Sequence, residues 1–194
     1  RMVRTPWSEE PMPFNEAAKL GTQKVIQDHS TIGVVITTDG SISDLSREAY
    51  IEAEAEVIDE LQSIGKPFII IVNSADVHSM ACNAVVEKLK EKYNVPVLAI
   101  RANQLSEADI HNLLREALYE FPVSEININM PKWVAVLNDD HWLKQSFNET
   151  IANSMASVEK LREVENIAAI LAENEYIDGS NLATIDAGSG CVAV

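Results

Sequence analysis

Three stretches of this chain are apolar along nearly their whole length, and each runs directly into a short polar loop. They are GVVITTDG at 33–40, KPFIIIVNSAD at 66–76 and VPVLAIRANQL at 95–105. A strand that is apolar on almost every residue is covered on both faces, as strands of a parallel sheet are. Ligands of such sheets bind at the carboxyl ends of the strands, so the three polar loops are predicted to line one crevice.

Helical patterns separate the three strands. Apolar residues recur at helical spacing over 44–64 and 79–93, and a capping-box pattern at Ser106 and Asp109 precedes another helix. A further helix is predicted over 14–29, whereas the opening stretch is rich in proline and polar residues and lacks an apolar strand. The alternation of strands and helices predicts an α/β fold, with a parallel sheet and flanking helices in three layers.

The pattern changes after Phe121-Pro122, and we place a domain boundary there, giving domains over 1–122 and 123–194. Alternating residues around Ile126 predict a strand with one wet face. A helical pattern over 143–174, with a break near 164–166, is long enough to indicate an interdomain strut, a coiled-coil partner or two helices. The last stretch, 175–194, predicts a hairpin, so the second domain is expected to be α+β.

Composition excludes some partners. The net charge of -15 and the sequence pI near 4.6 argue against nucleic acid, because a phosphate backbone repels an acidic surface. No run approaches the roughly 20 apolar residues that span a bilayer, so no transmembrane segment is predicted. Cys82 and Cys191 are far apart in the sequence and match no metal spacing, which is typical of a reduced, cytosolic chain.

The first strand-end loop carries Thr37, Thr38 and Asp39, followed by a glycine that permits a tight turn. Hydroxyls and a carboxylate at this place can orient a water, a metal ion or a phosphate. The alternative is structural: an Asp-Gly turn in which Ser41 or Ser43 caps the next helix.

The second loop, Asn73-Ser74-Ala75-Asp76, occupies the place where GTPase-type folds carry an Asn-Lys-x-Asp element that grips the base. An aspartate there can accept two hydrogen bonds from a guanine edge, but Ser74 replaces the lysine, which weakens the case for guanine. The alternative is a turn that caps the following helix. In the third loop, Arg101 either lies beside a bound base or closes the strand at the surface.

Several expected elements of a phosphate-hydrolysing site do not occur in this sequence. It contains no G-x-x-x-x-G-K-[ST] loop to cradle the β- and γ-phosphates, and no D-x-x-G element precedes residue 33. The four histidines form no pair at helical spacing, so no metal ligand is predicted among them.

The segments TPW, HSTIGVVITTDG and REALYEFPV, within a match that extends to about Asp178, resemble the stage IV sporulation protein A family. The resemblance implies spore-coat morphogenetic ATPases of endospore-forming bacteria, with a nucleotide-binding domain related to translation-factor GTPases. The fold it implies is an incomplete P-loop NTPase-like sheet at 1–122, followed by part of a middle domain.

By this resemblance, Thr37 and Thr38 lie on the phosphate or water side of the site. The expected nucleotide-binding residues are Asp39, Asn73, Ser74, Asp76 and Arg101. ATP and Mg²⁺ are the implied substrate and cofactor, and both need residues upstream of this segment. This piece alone is therefore expected to be inactive.

The resemblance also implies partners and a location. ATP hydrolysis would drive self-assembly into a basal coat layer on the forespore outer membrane, in the mother-cell cytoplasm, with coat proteins and a small membrane-bound anchor protein as partners. Two alternatives stay open: a non-catalytic assembly module that uses an unpaired strand edge, and a receiver-like domain with Asp39 as phosphoacceptor.

Overall fold

The computed structural model describes residues 2–156 and 158–194, without the side chain of Glu9. The chain divides into two compact units, one up to Ile110 and one from His111. The division lies inside a helix, before the boundary that we predict near 122. It lies there because Tyr119 and Phe121 pack against the core of the second unit.

The first unit begins with two strands and a helix, β1 (Met2–Thr5), β2 (Ser8–Pro13) and α1 (Phe14–His29). The two strands form an antiparallel pair. The predicted helix is present, and the opening stretch, which has no continuous apolar run, nevertheless forms this hairpin. Proline is tolerated in such a two-stranded pair because a strand at a sheet edge has backbone groups that need no ladder partner.

A parallel sheet of three strands follows, in the order β3, β4, β5. The elements of this region are β3 (Gly33–Thr38), α2 (Glu48–Ile64), β4 (Phe68–Asn73), α3 (Met80–Tyr93), β5 (Val97–Ile100), a 3-10 helix (Ala102–Gln104) and α4 (Glu107–Tyr119). The mixed α/β fold with a parallel three-stranded sheet and flanking helices is thus confirmed.

The first core lies between one face of this sheet and the helices α2 and α3. Its fully buried or nearly buried members are Val35, Ile58, Leu61, Phe68, Ile70, Val72, Cys82, Val86, Leu89, Tyr93, Val95 and Val97. Side chains alternate along a strand, so the neighbours of Val35 point to the opposite face. On that face Val34 and Ile36 of β3 are exposed, whereas Ile69 and Ile71 of the central strand β4 are buried.

The boundaries of α2 and α3 follow local capping chemistry. Gly65 ends α2 with φ of 71°, and Ser79 caps α3 by accepting a hydrogen bond from the backbone N–H of Cys82. The predicted start of α2 at residue 44 is wrong, because the hydroxyl of Ser43 bonds within its own loop, to the backbone N–H of Leu45. The helix therefore begins only at Glu48.

The second unit contains a small mixed sheet and three further helices. Its elements are β6 (Glu125–Asn127), α5 (Lys132–Val136), α6 (Trp142–Met155), a 3-10 helix (Leu161–Glu163), α7 (Glu165–Ala172), β7 (Thr184–Asp186) and β8 (Cys191–Ala193). β8 is central: it pairs in parallel with β6 and antiparallel with β7. The predicted terminal hairpin over 175–194 corresponds to β7 and β8, but residues 175–183 form no strand, and the sequence does not predict α5.

The long helical pattern over 143–174 resolves into two helices, α6 and α7. Between them the chain turns back towards Pro122: the backbone N–H of Leu161 donates to the carbonyl of Phe121, and Val123 donates to Glu159. This short pairing buries Leu161 and Val164 in the second core. Their position in this core explains why both side chains are apolar. Ser157, which also falls in the predicted helical pattern, lies outside the described residues.

The second unit also contains an apolar groove of about 620 Å³. Its wall includes Trp133 and Phe147, whose rings meet edge to face with centroids 6.3 Å apart, and Tyr176. Across the described residues of both units, no helix has the length and apolar character required to cross a bilayer.

Candidate functional site

The three parallel strands of the first unit end at the same level. Thr38 of β3 pairs with Asn73 of β4, and Asn73 pairs with Ile100 of β5. The loops that follow therefore emerge together at one edge of the sheet, as predicted from the sequence. In open α/β sheets this carboxyl edge is where ligands bind.

Thr37 and Thr38 are both buried at the end of β3. The guanidinium of Arg47 donates a hydrogen bond of 2.9 Å to Oγ1 of Thr37, and the backbone N–H of Gly40 donates to Oγ1 of Thr38 at 3.1 Å. Each threonine oxygen thus accepts a bond from the protein, which leaves its own hydrogen available for another acceptor.

Arg47 is itself held by Glu54, two turns further along α2. Nη2 of Arg47 donates to Oε1 of Glu54 at 2.8 Å, and Nη1 lies 2.7 Å from Oε2. Only 5% of the Glu54 side chain is exposed, so this carboxylate needs a cation beside it. Position 40 requires glycine, because its φ is 91° and a Cβ there would lie 3.0 Å from the backbone nitrogen of residue 47.

Both carboxylate oxygens of Asp39 accept hydrogen bonds from serines. Ser41 Oγ donates to Oδ1 at 2.5 Å, and Ser74 Oγ donates to Oδ2 at 2.6 Å. Partial burial alone would raise the pKa of Asp39, but the bonds from Ser41 and Ser74 outweigh it and lower that pKa below 3.8. Asp39 is therefore an ionised acceptor that joins two loops.

Ser74 is completely buried, and its surroundings connect the first loop to the second. In addition to its bond to Asp39, its oxygen accepts from the backbone N–H of Asp76 at 3.1 Å. The backbone N–H of Ala75 donates to Oγ of Ser41 at 2.9 Å. We call Asp39, Ser41, Ser74 and Ala75, with these bonds, the inter-loop network.

Asn73 connects the second loop to the third. Its Oδ1 accepts a hydrogen bond of 3.0 Å from the backbone N–H of Ala102. Arg101, next to that residue, donates from Nη1 to Gln104 at 2.9 Å, and its buried Nε has no partner among the described residues. Asp76 is exposed and accepts from the backbone N–H of His78, as in a turn that precedes a helix.

The structure therefore brings Asp39 and Ser74 together directly, and it fixes Asn73 against residue 102. It gives Asp76 and Arg101 local partners only. The sequence prediction missed Ser41, Arg47 and Glu54. For Arg47 and Glu54 a signal was available, because residues seven apart on a helix share a face and can pair.

The described residues do not supply a binding site for Mg²⁺. They contain no group of three or more histidine, cysteine or acidic side chains that could hold a metal ion. Asp39 directly follows β3, and each of its carboxylate oxygens already accepts a serine hydroxyl. No step that depends on a metal ion is therefore assigned to these residues.

Comparison with known proteins gives consistent matches. The family model described as stage IV sporulation protein A, ATPase domain, matches residues 1–122, and the model of the middle domain of the same protein matches 123–194. No solved structure matches the chain.

Curated relatives named stage IV sporulation protein A match over the whole chain. The chain is 49% identical to the protein of Bacillus subtilis (strain 168), 48% to that of Bacillus anthracis and 40% to that of Clostridioides difficile (strain 630). It spans 39–40% of the length of these relatives.

Proposed function

The chain belongs to the stage IV sporulation protein A family, and from that membership we propose that it is a segment of an ATPase that builds the spore coat. In this proposal, residues 33–104 form the base side and part of the phosphate side of an ATP site. Hydrolysis of ATP drives self-assembly of the basal coat layer on the forespore outer membrane.

The observation that carries the proposal is the common edge at which β3, β4 and β5 end. At this edge the hydroxyls of Thr37 and Thr38 lie at the end of β3, and the polar groups of residues 73–76 lie at the end of β4. Hydroxyl hydrogens that the protein leaves uncommitted are suitable donors to phosphate oxygens, whose charge grows during phosphoryl transfer. We assign Thr38, the last residue of β3, the more direct contact.

A preference for adenine is supported by Ser74. In the Asn-Lys-x-Asp element of GTPase-type folds, a lysine at this place packs along the base, whereas Ser74 is completely buried and bonded to Asp39. Asp76, which would grip guanine, accepts instead from His78. The loop thus lacks the lysine of that element, and one oxygen of its aspartate already accepts a backbone hydrogen bond, which favours ATP over GTP in this proposal.

The P-loop and the ligands of Mg²⁺ belong, in this proposal, to other parts of the longer protein. The chain covers about two fifths of its relatives, and its own sequence contains no phosphate-cradling motif. We propose further copies of the same protein, spore-coat proteins and a small membrane-bound anchor protein as partners, and the mother-cell face of the forespore outer membrane as the location.

The test uses the full-length protein. Calorimetric titration with ATP and GTP in the presence of Mg²⁺, together with phosphate release, should give binding and turnover with ATP in preference to GTP. Replacement Thr38→Val removes one hydroxyl at nearly constant volume and should lower turnover by about tenfold or more. Thr22→Val, on the exposed face of α1, should leave turnover unchanged.

Preferential turnover of GTP, or ATP turnover that is the same with Thr38→Val as with Thr22→Val, would contradict the proposal. We do not propose Asp39 as a phosphoacceptor; in this proposal its two oxygens hold the hydroxyls of Ser41 and Ser74.

A second candidate function is assembly through β3. Among the described residues this strand is at a sheet edge, and its Ile36 is 68% exposed. An exposed apolar edge strand favours pairing with another chain. Replacement Ile36→Lys should then reduce self-association of this 194-residue chain in sedimentation velocity. Unchanged association would count against this role.

A further inference from the structure

The loops that follow β3 and β4 are joined by side chains rather than by strand pairing. The parallel ladder between the two strands ends at Thr38 and Asn73. Beyond that point the inter-loop network continues the connection, with Ser74 donating to Asp39 and Ala75 donating to Ser41. Two short bonds to an ionised carboxylate anchor this network, and such bonds are the strong ones.

The network separates the two sides of the proposed nucleotide site. Thr37 and Thr38 precede it on one side, and Asn73 and Asp76 flank it on the other. Both carboxylate oxygens of Asp39 already accept hydrogen bonds within the network: Oδ1 accepts from Ser41, and Oδ2 accepts from Ser74. Their chemistry suits holding the loops in place rather than contacting a nucleotide.

We propose that Asp39, Ser41 and Ser74 are positioning residues, which hold the base-side loop 73–76 against the phosphate-side loop 37–41. This inference rests on the proposed function, since it assigns those loops to a nucleoside triphosphate. When the loops of a site are already ordered before the ligand binds, no binding free energy is lost in ordering them. The network therefore increases affinity for ATP without touching it.

The inference also explains why position 74 carries a small hydroxyl residue. Ser74 has no exposed surface, so a lysine there has no room for its stem and would separate the two loops. Restoring the lysine of the GTPase-type element is therefore expected to destroy the arrangement, not to create a guanine site.

The main experiment replaces Ser41 in the full-length protein. Ser41 is exposed, so Ser41→Ala should fold, while Ser41→Thr keeps the hydroxyl. Ser43→Ala is the matched control, because Ser43 lies in the same loop but bonds to Tyr50 and Leu45 instead. Two quantities are measured: amide hydrogen exchange at Ala75 without nucleotide, and KM and kcat for ATP.

Ser41→Ala should accelerate exchange at Ala75 by about five- to tenfold, because that amide loses its acceptor. It should raise KM for ATP about fivefold or more and change kcat less than KM, since the lost arrangement weakens binding. Ser41→Thr and Ser43→Ala should behave like the wild type. A merely structural role would lower the folded fraction, and hence kcat, while KM stayed constant.

Ser74→Lys gives an independent arm. It should weaken ATP binding in calorimetry by about tenfold or more, without tightening GTP binding relative to the wild type. Tighter GTP binding would overturn the inference.

Two further outcomes would also overturn it: exchange at Ala75 that is unchanged in Ser41→Ala, or faster exchange with an unchanged KM. A wild-type protein that does not bind ATP would contradict the proposed function. In that case the exchange at Ala75 still decides whether the network joins the loops.

Discussion

Among the described side chains, each unit contains a buried glutamate that pairs with cationic side chains, and the two cases differ in what the cations do. In the first unit Glu54 pairs with Arg47, which also donates to Thr37 at the candidate site. In the second unit Glu120, 1% exposed, contacts both Lys160 and Arg162.

The comparison shows that the need to pair a buried carboxylate can position a site residue in one unit and stabilise a turn in the other. A buried carboxylate must be paired, and removing its partner costs far more than an exposed ion pair contributes. In the first unit that requirement also fixes a threonine hydroxyl at the edge of the parallel sheet. In the second unit Lys160 immediately precedes the 3-10 helix Leu161–Glu163 and Arg162 lies within it, so the pairing stabilises the turn between α6 and α7.

The largest effect is expected for Arg47→Ala. It leaves Glu54 without the cation that pairs with it among the described residues, so the first unit should lose about 3 kcal/mol. Hydrogen exchange of the β3 and β4 amides measures this loss separately from the second unit. The double replacement Arg47→Met with Glu54→Leu should recover most of the stability but not the bond to Thr37. Equal losses in the single and double variants would contradict this account of the pair.

A smaller effect is expected for Lys160→Ala, because Arg162 still contacts Glu120. The loss should be about 1–2 kcal/mol, confined to the second unit and measured by exchange at the backbone amides of Val123 and Leu161. Glu149→Ala, on the exposed face of α6, is the control and should change stability by less than about 0.5 kcal/mol. A loss of stability as large as that expected for Arg47→Ala would show that Arg162 does not compensate the charge of Glu120 once Lys160 is removed.

Two glycines, one in each unit, sharpen the comparison of backbone effects. A Cβ would meet nothing within 4 Å at either Gly65 or Gly179, but only Gly65 has a positive φ, of 71°. Gly65→Ala should therefore cost about 1 kcal/mol, whereas Gly179→Ala should be close to neutral. Urea denaturation of both variants measures the difference, and equal midpoints would contradict the assigned cost of the left-handed conformation.

The smallest expected effects concern pH. Burial raises the pKa of Asp39, but the hydrogen bonds from the serines have the larger effect and lower it below 3.8. Burial also raises the pKa of Glu163, but the backbone N–H groups of Glu159 and Lys160 have the larger effect and lower it below 4.5. Both groups favour the ionised form in the folded state. Their contribution to stability is therefore full above those unfolded-state values and is lost as the pH falls through the folded pKa.

Carbon-detected NMR titration of the two carboxyl groups measures both values. In Ser74→Ala the pKa of Asp39 should rise towards 3.8, while that of Glu163 should not move. A pKa of Asp39 that does not respond to the loss of Ser74 would show that its bonds are not the cause of the shift.

Much of the first unit follows from its sequence, because continuous apolar strands and periodic helices are strong local signals. The strands ending at Thr38, Asn73 and Ile100 and the caps at Gly65 and Ser79 are of this kind. The hairpin β1–β2 was missed because its residues show no apolar alternation.

Other features depend on contacts between residues distant in sequence. Leu161 continues the helical pattern of the sequence, but its backbone N–H donates to Phe121, a residue forty positions earlier, and it begins a separate 3-10 helix. At the candidate site, the residue types Asp39 and Ser74 were recognised, but their bond joins residues of two loops and no spacing encodes it. Ser41 likewise looked like a helix cap, whereas it accepts from Ala75.

The central claim is that the carboxyl edge of the parallel sheet binds the nucleotide. Hydrogen exchange of the full-length protein, with and without ATP and Mg²⁺, tests it most directly. We expect slower exchange on ATP addition in peptides that cover residues 38–41 and 73–76, with little change in the groove of the second unit. ATP binding that calorimetry detects, but that leaves exchange at both loops unchanged, would contradict the account.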